Sequence, residues 1–292
     1  MSYLVDEIVS QPECWSEAIK LAASADQALP RTGEQVAAVG CGSSLNVARC
    51  YAALREAAGH GKTDAFPASE VPATRRYDCV LYISRTGTTT EVLDSLRQVP
   101  AGTSTLAVTT DPDAPLAREA GRVVLLDFAG ERSVVSSRFI TSSIVLLRAH
   151  LGADVSGLPA AAAREVASLL PPELAGQSEF TFLGRGWAAP VADEAALKLR
   201  EASRTWAESY PAMEYRHGPI SVSDAGTVVW ALGEVPADLL ADARRTGATV
   251  IASGADPLAG LIGAQRLAAA LAERKGIDPD QPRALSRSVI LA

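Results

Sequence analysis

Short apolar runs alternate with amphipathic stretches through the first half of the chain. Runs of strand length lie at 35–40, 78–84, 104–109 and 122–128. Helical patterns lie at 46–58, 89–98 and 138–151. A run of four to eight apolar residues predicts a buried strand, whereas apolar positions three and four apart predict a helix. Strands that alternate with helices in this way predict an α/β fold, with a parallel sheet covered by helices on both faces.

The second half of the chain repeats this order. Strand, long helix, strand, helix, strand and helix are predicted at 180–184, 188–208, 227–233, 237–246, 248–253 and 258–275. The halves align when Gly40 is placed on Gly184, so that Val-Gly-Cys-Gly matches Leu-Gly-Arg-Gly. Two copies of one α/β unit are the simplest interpretation. We therefore predict domains at 1–155 and 156–292, joined through a proline-containing, partly helical connection.

Composition and charge narrow the classes of function. The net charge is −7, and no cluster of five or six Lys and Arg residues occurs, which argues against a nucleic-acid surface. No uncharged apolar run reaches the ~18 residues of a membrane span. The N-terminus also lacks the basic start of a signal peptide. We expect a cytoplasmic protein that binds neither nucleic acid nor membrane.

Cysteine and histidine spacing gives no sign of a metal site or of a disulfide framework. The four cysteines form no CxxC pair, and the three histidines are scattered. Gly40 and Gly42 could begin a dinucleotide-binding motif, but Leu45 stands where the third glycine is required. We expect reduced thiols, no metal and no cofactor.

Three Ser/Thr-rich segments of the first half each lie between a predicted strand and a predicted helix. They are 42–44, 84–89 and 133–137. Such segments gather at the carboxyl ends of parallel strands, where ligands bind, and their hydroxyls and helix-terminal amides can surround a phosphate. One segment alone is typical of an ordinary helix cap. Three together favour a phosphate site, and the second half has Glu234 where the first has hydroxyls.

A charged helical face and one histidine are the candidates for proton chemistry. Glu194, Lys198 and Glu201 share a helical face, although this spacing taken alone is typical of an exposed ion pair. His217 precedes Gly-Pro, which places the imidazole in a turn. A lone histidine in a loop is more often a surface residue than a catalyst. A carboxylate with a histidine is nevertheless what proton transfer on a sugar requires.

With these residues in view, the sequence resembles the sugar-isomerase (SIS) superfamily. It is similar to the isomerase half of glucosamine-6-phosphate synthase and to stand-alone phosphosugar isomerases and deaminases. The resemblance extends over nearly the whole chain. The segments that carry it are 7–12, 40–44, 83–89, 131–141, 182–186, 194–201, 217–219 and 280–289.

The resemblance implies a fold and a set of site residues. It implies two tandem SIS subdomains, each a flavodoxin-like three-layer sandwich, and a sugar phosphate or amino-sugar phosphate as the ligand. Glu201 matches the general base, supported by Glu194 and Lys198. His217 matches the ring-opening histidine that the dimer partner supplies, which implies a homodimer with shared active sites. The matched phosphate contacts are Ser44, Ser84, Thr86 and Thr89, and the matched sugar contacts are Val134 and Ser136.

The sequence departs from the synthase pattern in three places. Arg85 stands where the synthase has glutamine, which adds a cation to the phosphate-binding residues. Arg287 stands where the synthase has the lysine that forms a Schiff base with the ketose. Arginine stays protonated, so we expect no more than electrostatic help from the tail. The chain begins where the isomerase half begins, so we expect no release of ammonia from glutamine.

Two classes of function remain open at this point. One is an enzyme, either an aldose–ketose isomerase or an amino-sugar-phosphate deaminase, since both reactions pass through an enediol or enolamine. The other is a non-catalytic sensor of sugar phosphates, like the SIS domains of transcription regulators. About 30 residues precede the first predicted strand, too few for a helix-turn-helix domain with its own core. The charged face with His217 favours the enzyme.

Overall fold

The computed structural model describes residues 2–252 and 254–291, apart from the side chain of Ala175. Ser253, where the sequence predicts the end of a strand, lies outside the described residues. The strands are β1 (Val36–Gly40), β2 (Thr63–Pro67), β3 (Cys79–Ile83), β4 (Ser104–Thr109), β5 (Arg122–Leu125), β6 (Glu179–Gly184), β7 (Trp206–Pro211), β8 (Thr227–Leu232) and β9 (Thr249–Ala252). The helices are α1 (Tyr3–Val9), α2 (Gln11–Ala25), α3 (Ser43–Ala57), α4 (Thr90–Arg97), α5 (Pro115–Glu119), α6 (Arg138–His150), α7 (Leu158–Ala167), α8 (Ala188–Ser203), α9 (Ala237–Arg245) and α10 (Pro257–Arg274).

The chain forms two compact units, each around its own parallel sheet. The first-sheet unit comprises Glu13–Glu131, Arg138–Gly157 and the tail from Ser286. The second-sheet unit comprises the residues up to Pro12, the segment Arg132–Ser137, and Leu158–Leu285. The domain boundary between residues 155 and 156 stays a prediction.

The first sheet has the strand order β2-β1-β3-β4-β5 within the described residues, and all its pairings are parallel. This is the order of flavodoxin-like folds, which bind their ligands at the carboxyl ends of the strands. β1 and β3 are buried along their whole length, as expected for central strands covered on both faces. The predicted α/β class is confirmed.

A glycine ends the first strand of each sheet, because the following helix begins against that strand. A Cβ atom on Gly40 would lie 2.5 Å from the backbone carbon of Ser44. A Cβ atom on Gly184 would overlap the backbone of Ala188 in the same way. Only a residue without a Cβ atom fits at these two positions, which the sequence alignment of the halves had paired.

The second sheet has the order β7-β6-β8-β9 within the described residues and is also parallel. The helix predicted over 188–208 is wrong beyond Ser203. Arg204 takes a left-handed conformation (φ 52°), which ends α8, and Trp206–Pro211 pairs with β6 as an edge strand. The strand predicted over 122–128 likewise ends at Leu125, and Asp127–Ala129 forms a 3₁₀ turn.

Candidate active site

A tight turn after β3 forms the candidate phosphate loop, residues 84–89. The Ser84 hydroxyl accepts a hydrogen bond from the Gly87 N–H at 3.2 Å, which closes the turn. Gly87 has φ 62°, and a Cβ atom there would lie 2.6 Å from the Cβ atom of Ala114. The hydroxyls of Thr109 and Thr110 donate to the Arg85 carbonyl at 3.1 and 2.9 Å. The loop backbone is therefore fixed from several directions.

Three threonine hydroxyls of this loop meet a serine of the C-terminal tail. Thr88 Oγ1 donates to Ser288 Oγ at 2.9 Å, and Thr86 Oγ1 and Thr89 Oγ1 each lie 3.3 Å from the same oxygen. Thr88 Oγ1 also lies 3.0 Å from Thr86 Oγ1. Thr86 and Thr89 were predicted from the sequence as site residues, whereas Thr88 and Ser288 were not. Ser288 does lie within the matched segment 280–289, which was the available signal.

The tail backbone is bound to the start of α4. The Val289 carbonyl accepts a hydrogen bond from the Thr90 N–H at 3.1 Å, and the Leu291 N–H donates to Thr90 Oγ1 at 2.9 Å. The first-turn amides of a helix lack partners within the helix, and one of these amides here binds the tail. The side chain of Arg287 is exposed, whereas its carbonyl lies 3.4 Å from an Arg85 nitrogen.

Arg85 is a buried residue whose charge is balanced inside the first-sheet unit. Its Nη1 lies 2.7 Å from Glu131 Oε2, and both side chains are buried. Glu131 Oε1 also accepts a hydrogen bond from the Phe139 N–H at 3.3 Å. Glu131 was not among the site residues predicted from the sequence. The Arg85 guanidinium thus links the phosphate loop to Glu131, the residue before segment 132–137.

Ser44 lies at the carboxyl end of the strand next to β3. It is the second residue of α3, buried, and follows Gly42 with φ 54°. Since β1 and β3 are parallel neighbours, the loops that follow them emerge at the same edge of the sheet. The structure thus brings Ser44 and the phosphate loop to one edge of the first sheet.

Three charged side chains of α8, Glu194, Lys198 and Glu201, are linked in a row that we call the charge chain. Lys198 Nζ is 3.2 Å from Glu194 Oε1 and 2.5 Å from Glu201 Oε2. The interpretation as an exposed ion pair is wrong, because Glu194 and Lys198 are each 1% exposed. Neighbouring faces of the helix carry buried Ala195, Ala196 and Leu199, so this part of α8 is enclosed. Glu201 is 20% exposed and is the residue of the charge chain that solvent reaches.

The two carboxylates of the charge chain keep Lys198 charged. Burial alone would lower the pKa of Lys198, but the carboxylates of Glu194 and Glu201 and their hydrogen bonds raise it above its ordinary value. An ammonium group is therefore fixed beside a partly accessible carboxylate. Such a pair can accept a proton on the carboxylate and stabilise a nearby oxyanion through the ammonium.

Segment 132–137, which we call the sugar loop, shows alternating burial. Ser133, Val135 and Ser137 are buried, whereas Val134 and Ser136 are only partly buried. The two matched sugar contacts therefore share the less buried side of the loop. The sugar loop belongs to the second-sheet unit.

His217 is the last residue of a 3₁₀ helix, Ala212–His217, in the second-sheet unit. Gly218, with φ 134°, ends this helix, and the His217 side chain is exposed. Met213 on this helix is 44% exposed, and Val222, at the end of the following 3₁₀ helix Pro219–Val222, is 59% exposed. Residues 212–222 therefore expose an imidazole and two apolar side chains.

In the part of the chain that the structure describes, no group of three or more His, Cys, Asp or Glu side chains could hold a metal ion. The four cysteines form no disulfide. No described helix is both long enough and apolar enough to cross a membrane.

Comparison by sequence finds a relative in Sulfolobus acidocaldarius. This glutamine–fructose-6-phosphate aminotransferase (isomerizing) is 29% identical over 301 aligned residues. The match covers 89% of this chain and 50% of the relative. The chain thus spans about half the length of the curated relatives it matches. No family model matches the chain.

Comparison by structure finds chains of similar length with the same fold. Glucosamine-6-phosphate deaminase from Thermotoga maritima superimposes with a TM-score of 0.82 at 27% identity, over 99% of this chain and 100% of that one. Tagatose-6-phosphate ketose/aldose isomerase from Escherichia coli gives a TM-score of 0.79 at 18% identity, over 100% of this chain and 96% of that one. The second likeness concerns the fold alone.

Proposed function

The chain belongs to the sugar-isomerase (SIS) superfamily, and we propose that it is an enzyme acting on a sugar phosphate. The reaction is either aldose–ketose isomerisation or deamination of an amino-sugar phosphate. The observation that carries the proposal is the charge chain of α8, in which buried Glu194 and Lys198 end at accessible Glu201. A sensor that only binds its ligand gains nothing from enclosing two charges to support a third.

The phosphate group is held by hydroxyls and backbone amides. Ser44 and the phosphate loop lie at one edge of the first sheet, where helix N-termini favour an anion. Arg85 adds little net charge, because Glu131 lies 2.7 Å from it. Hydroxyl ligands suit a dianion that must be released after each turnover, since they bind without a full opposing charge. Ser84, Thr86 and Thr89 supply those hydroxyls.

The proton chemistry takes place at C1 and C2 of the open-chain sugar. Glu201 removes the C2 proton and returns it at C1, and as a proton passes from the C2 hydroxyl to the C1 oxygen the carbonyl moves from C1 to C2. Lys198, held protonated, stabilises the oxyanion of the enediol or enolamine. Val134 and Ser136 contact the sugar from the less buried side of the sugar loop. In the deaminase version the same proton transfer to C1 gives an imine at C2, to which water adds, so that ammonia leaves and the ketose remains.

Ring opening is assigned to His217 of a second subunit. The imidazole is exposed, and so are Met213 and Val222 on the same segment. Exposed apolar side chains beside a functional group are typical of an interface. The proposed assembly is therefore a homodimer with shared active sites, and its proposed location is the cytoplasm.

The C-terminal tail contacts the phosphate loop and forms no covalent bond with the substrate. Arg287 cannot form a Schiff base, since arginine stays protonated. Its carbonyl lies near Arg85, and Ser288 lies among the threonine hydroxyls of the phosphate loop. The tail therefore orders the phosphate-binding residues while the exposed Arg287 guanidinium supplies electrostatic help.

Product analysis tests the proposal and separates its two versions. The wild-type protein is incubated with glucosamine-6-phosphate, glucose-6-phosphate and fructose-6-phosphate, and ammonia and ketose are measured separately. Ammonia released from glucosamine-6-phosphate supports the deaminase, and interconversion of the hexose phosphates supports the isomerase. Turnover of none of them, alongside clear binding by thermal shift, would support the sensor instead.

A further inference from the structure

We propose that Glu7, on the N-terminal helix α1, is a positioning residue that sets the conformation of the sugar loop. This rests on the proposed function, because it takes Val134 and Ser136 to be sugar contacts. Glu7 itself is buried, 4% exposed, and touches the loop one residue before Val134. It therefore acts through the loop and not on the substrate.

The Glu7 carboxylate gathers three donors from two adjacent loop residues. Oε1 accepts hydrogen bonds from the N–H groups of Arg132 and Ser133, the latter at 3.3 Å. Oε2 accepts a short hydrogen bond from the Ser133 hydroxyl. That hydroxyl also lies 2.7 Å from the Val135 carbonyl. Hydrogen bonds to a carboxylate are shorter and stronger than neutral ones, so this contact fixes both the backbone and the side chain of Ser133.

The alternating burial of the sugar loop transmits this constraint. Ser133 and Val135 are buried, whereas Val134 between them is only partly buried. The same holds for Ser136, between Val135 and Ser137. If Ser133 rotates or shifts, both of the less buried residues lose their orientation. Glu7 thus determines which face of the loop a sugar would meet.

α1 is itself anchored at both ends within the second-sheet unit. Asp280 accepts hydrogen bonds from the N–H groups of Tyr3 and Leu4 at 2.7 and 2.8 Å, which caps the helix. Beyond the other end of the helix, Gln11 Nε2 donates to the Ile8 carbonyl at 3.1 Å and to Gln265 Oε1 at 2.8 Å. A short helix held in this way is a rigid support for the Glu7 carboxylate.

A carboxylate suits the donors that meet at this position. The Arg132 N–H, the Ser133 N–H and the Ser133 hydroxyl all donate to it, and a carboxylate is an acceptor only. In Glu7→Gln the amide nitrogen would face at least one of these donors, although the side chain keeps its shape. The loop must then move or lose a hydrogen bond. Glu7→Asp keeps the charge but is shorter, so it should rescue part of the effect.

The test compares two probes by titration calorimetry, glucosamine-6-phosphate and inorganic phosphate. Glu7→Gln should weaken binding of the phosphosugar roughly tenfold while leaving that of inorganic phosphate unchanged. Asp280→Asn is the matched control, because it weakens the anchoring of α1 without touching the loop. It should lower the melting temperature and change the ratio of the two affinities less than Glu7→Gln does, because the Glu7 carboxylate and its three donors remain in place.

Ser133→Ala provides a second route if Glu7→Gln does not fold. It removes the hydroxyl donor from the other side of the contact and should weaken phosphosugar binding several-fold. An unchanged ratio of affinities in both variants, or an equal loss for both probes, would overturn the role of Glu7. Failure of the wild-type protein to bind the phosphosugar would instead overturn the proposed function.

Discussion

Replacing Lys198 with methionine tests whether the charge chain of α8 is the enclosed structure described above. Methionine has a similar length and a similar helix propensity, so the change removes the ammonium group and little else. Glu194, 1% exposed, would lose the charge that lies 3.2 Å from its Oε1. Glu201, 20% exposed, can recover part of its loss from water. Most of the cost therefore falls on Glu194.

The expected magnitude follows from this burial. Removing one partner of a buried ion pair typically lowers the free energy of unfolding by about 3–5 kcal/mol. The same substitution at Lys20 is the matched control, since Lys20 pairs with Glu17 at 2.7 Å on an exposed helical surface. An exposed pair contributes about 0–1 kcal/mol. The contrast between the two sites isolates the effect of burial.

Urea unfolding followed by tryptophan fluorescence measures both variants. The double variant Glu194→Gln/Lys198→Met removes both charges of the buried pair and should recover much of the loss, because breaking a buried ion pair costs more than removing both of its charges. A loss below about 1 kcal/mol in Lys198→Met, similar to that in Lys20→Met, would refute the enclosed charge chain. A double variant as unstable as the single one would assign the loss to packing.

Three further predictions concern the loop, the shared site and the pH dependence. Gly87→Ala should abolish phosphosugar-induced thermal stabilisation, because its Cβ atom would overlap Ala114 and its φ of 62° is unfavourable; retained stabilisation would argue against this loop. Mixing inactive Glu201→Gln with inactive His217→Ala should restore part of the activity after subunit exchange, whereas a site within one subunit would show no recovery. Because its pKa is raised in the folded state, Lys198 contributes stability that is complete below its ordinary pKa of 10.5 and is lost as the pH rises through the higher folded value. The difference in unfolding free energy between wild type and Lys198→Met should thus be constant from pH 7 to 9 and shrink only as the pH rises past 10.5, and a difference that shrinks already at neutral pH would contradict the raised pKa.

The central elements of the fold could be predicted because their residues carry a strong local pattern. β1 and β3 are continuous apolar runs, and α10 follows a clear helical period. β2 was missed because Thr63–Pro67 is a half-exposed edge strand that contains aspartate and proline. The end of α8 was missed because the left-handed residue is Arg204, where a glycine would have marked the end.

The candidate site could be predicted only as far as single residues and spacings reach. The shared face of Glu194 and Lys198 follows from helical geometry, but their burial depends on what packs over α8. Ser288 and Thr88 meet across about 200 residues of chain, and no local pattern indicates such a pair. Glu7 and Ser133 are likewise far apart in sequence. These contacts exist only once the tertiary fold has formed.

Exchange of the C2 proton with solvent tests the central claim most directly. The wild-type protein is placed in heavy water with glucosamine-6-phosphate, glucose-6-phosphate or fructose-6-phosphate, and deuterium is followed by NMR at C2 of the two aldoses and at C1 of the ketose. We expect exchange in the wild type and a fall of about 10²–10⁴-fold in Glu201→Gln, since general-base catalysis contributes a factor of that size. Arg287→Ala should cost less, because its guanidinium takes no part in proton removal. Exchange at the wild-type rate in Glu201→Gln would contradict the assignment of Glu201 as the base. No exchange in the wild type would contradict the proposal that the protein is an enzyme.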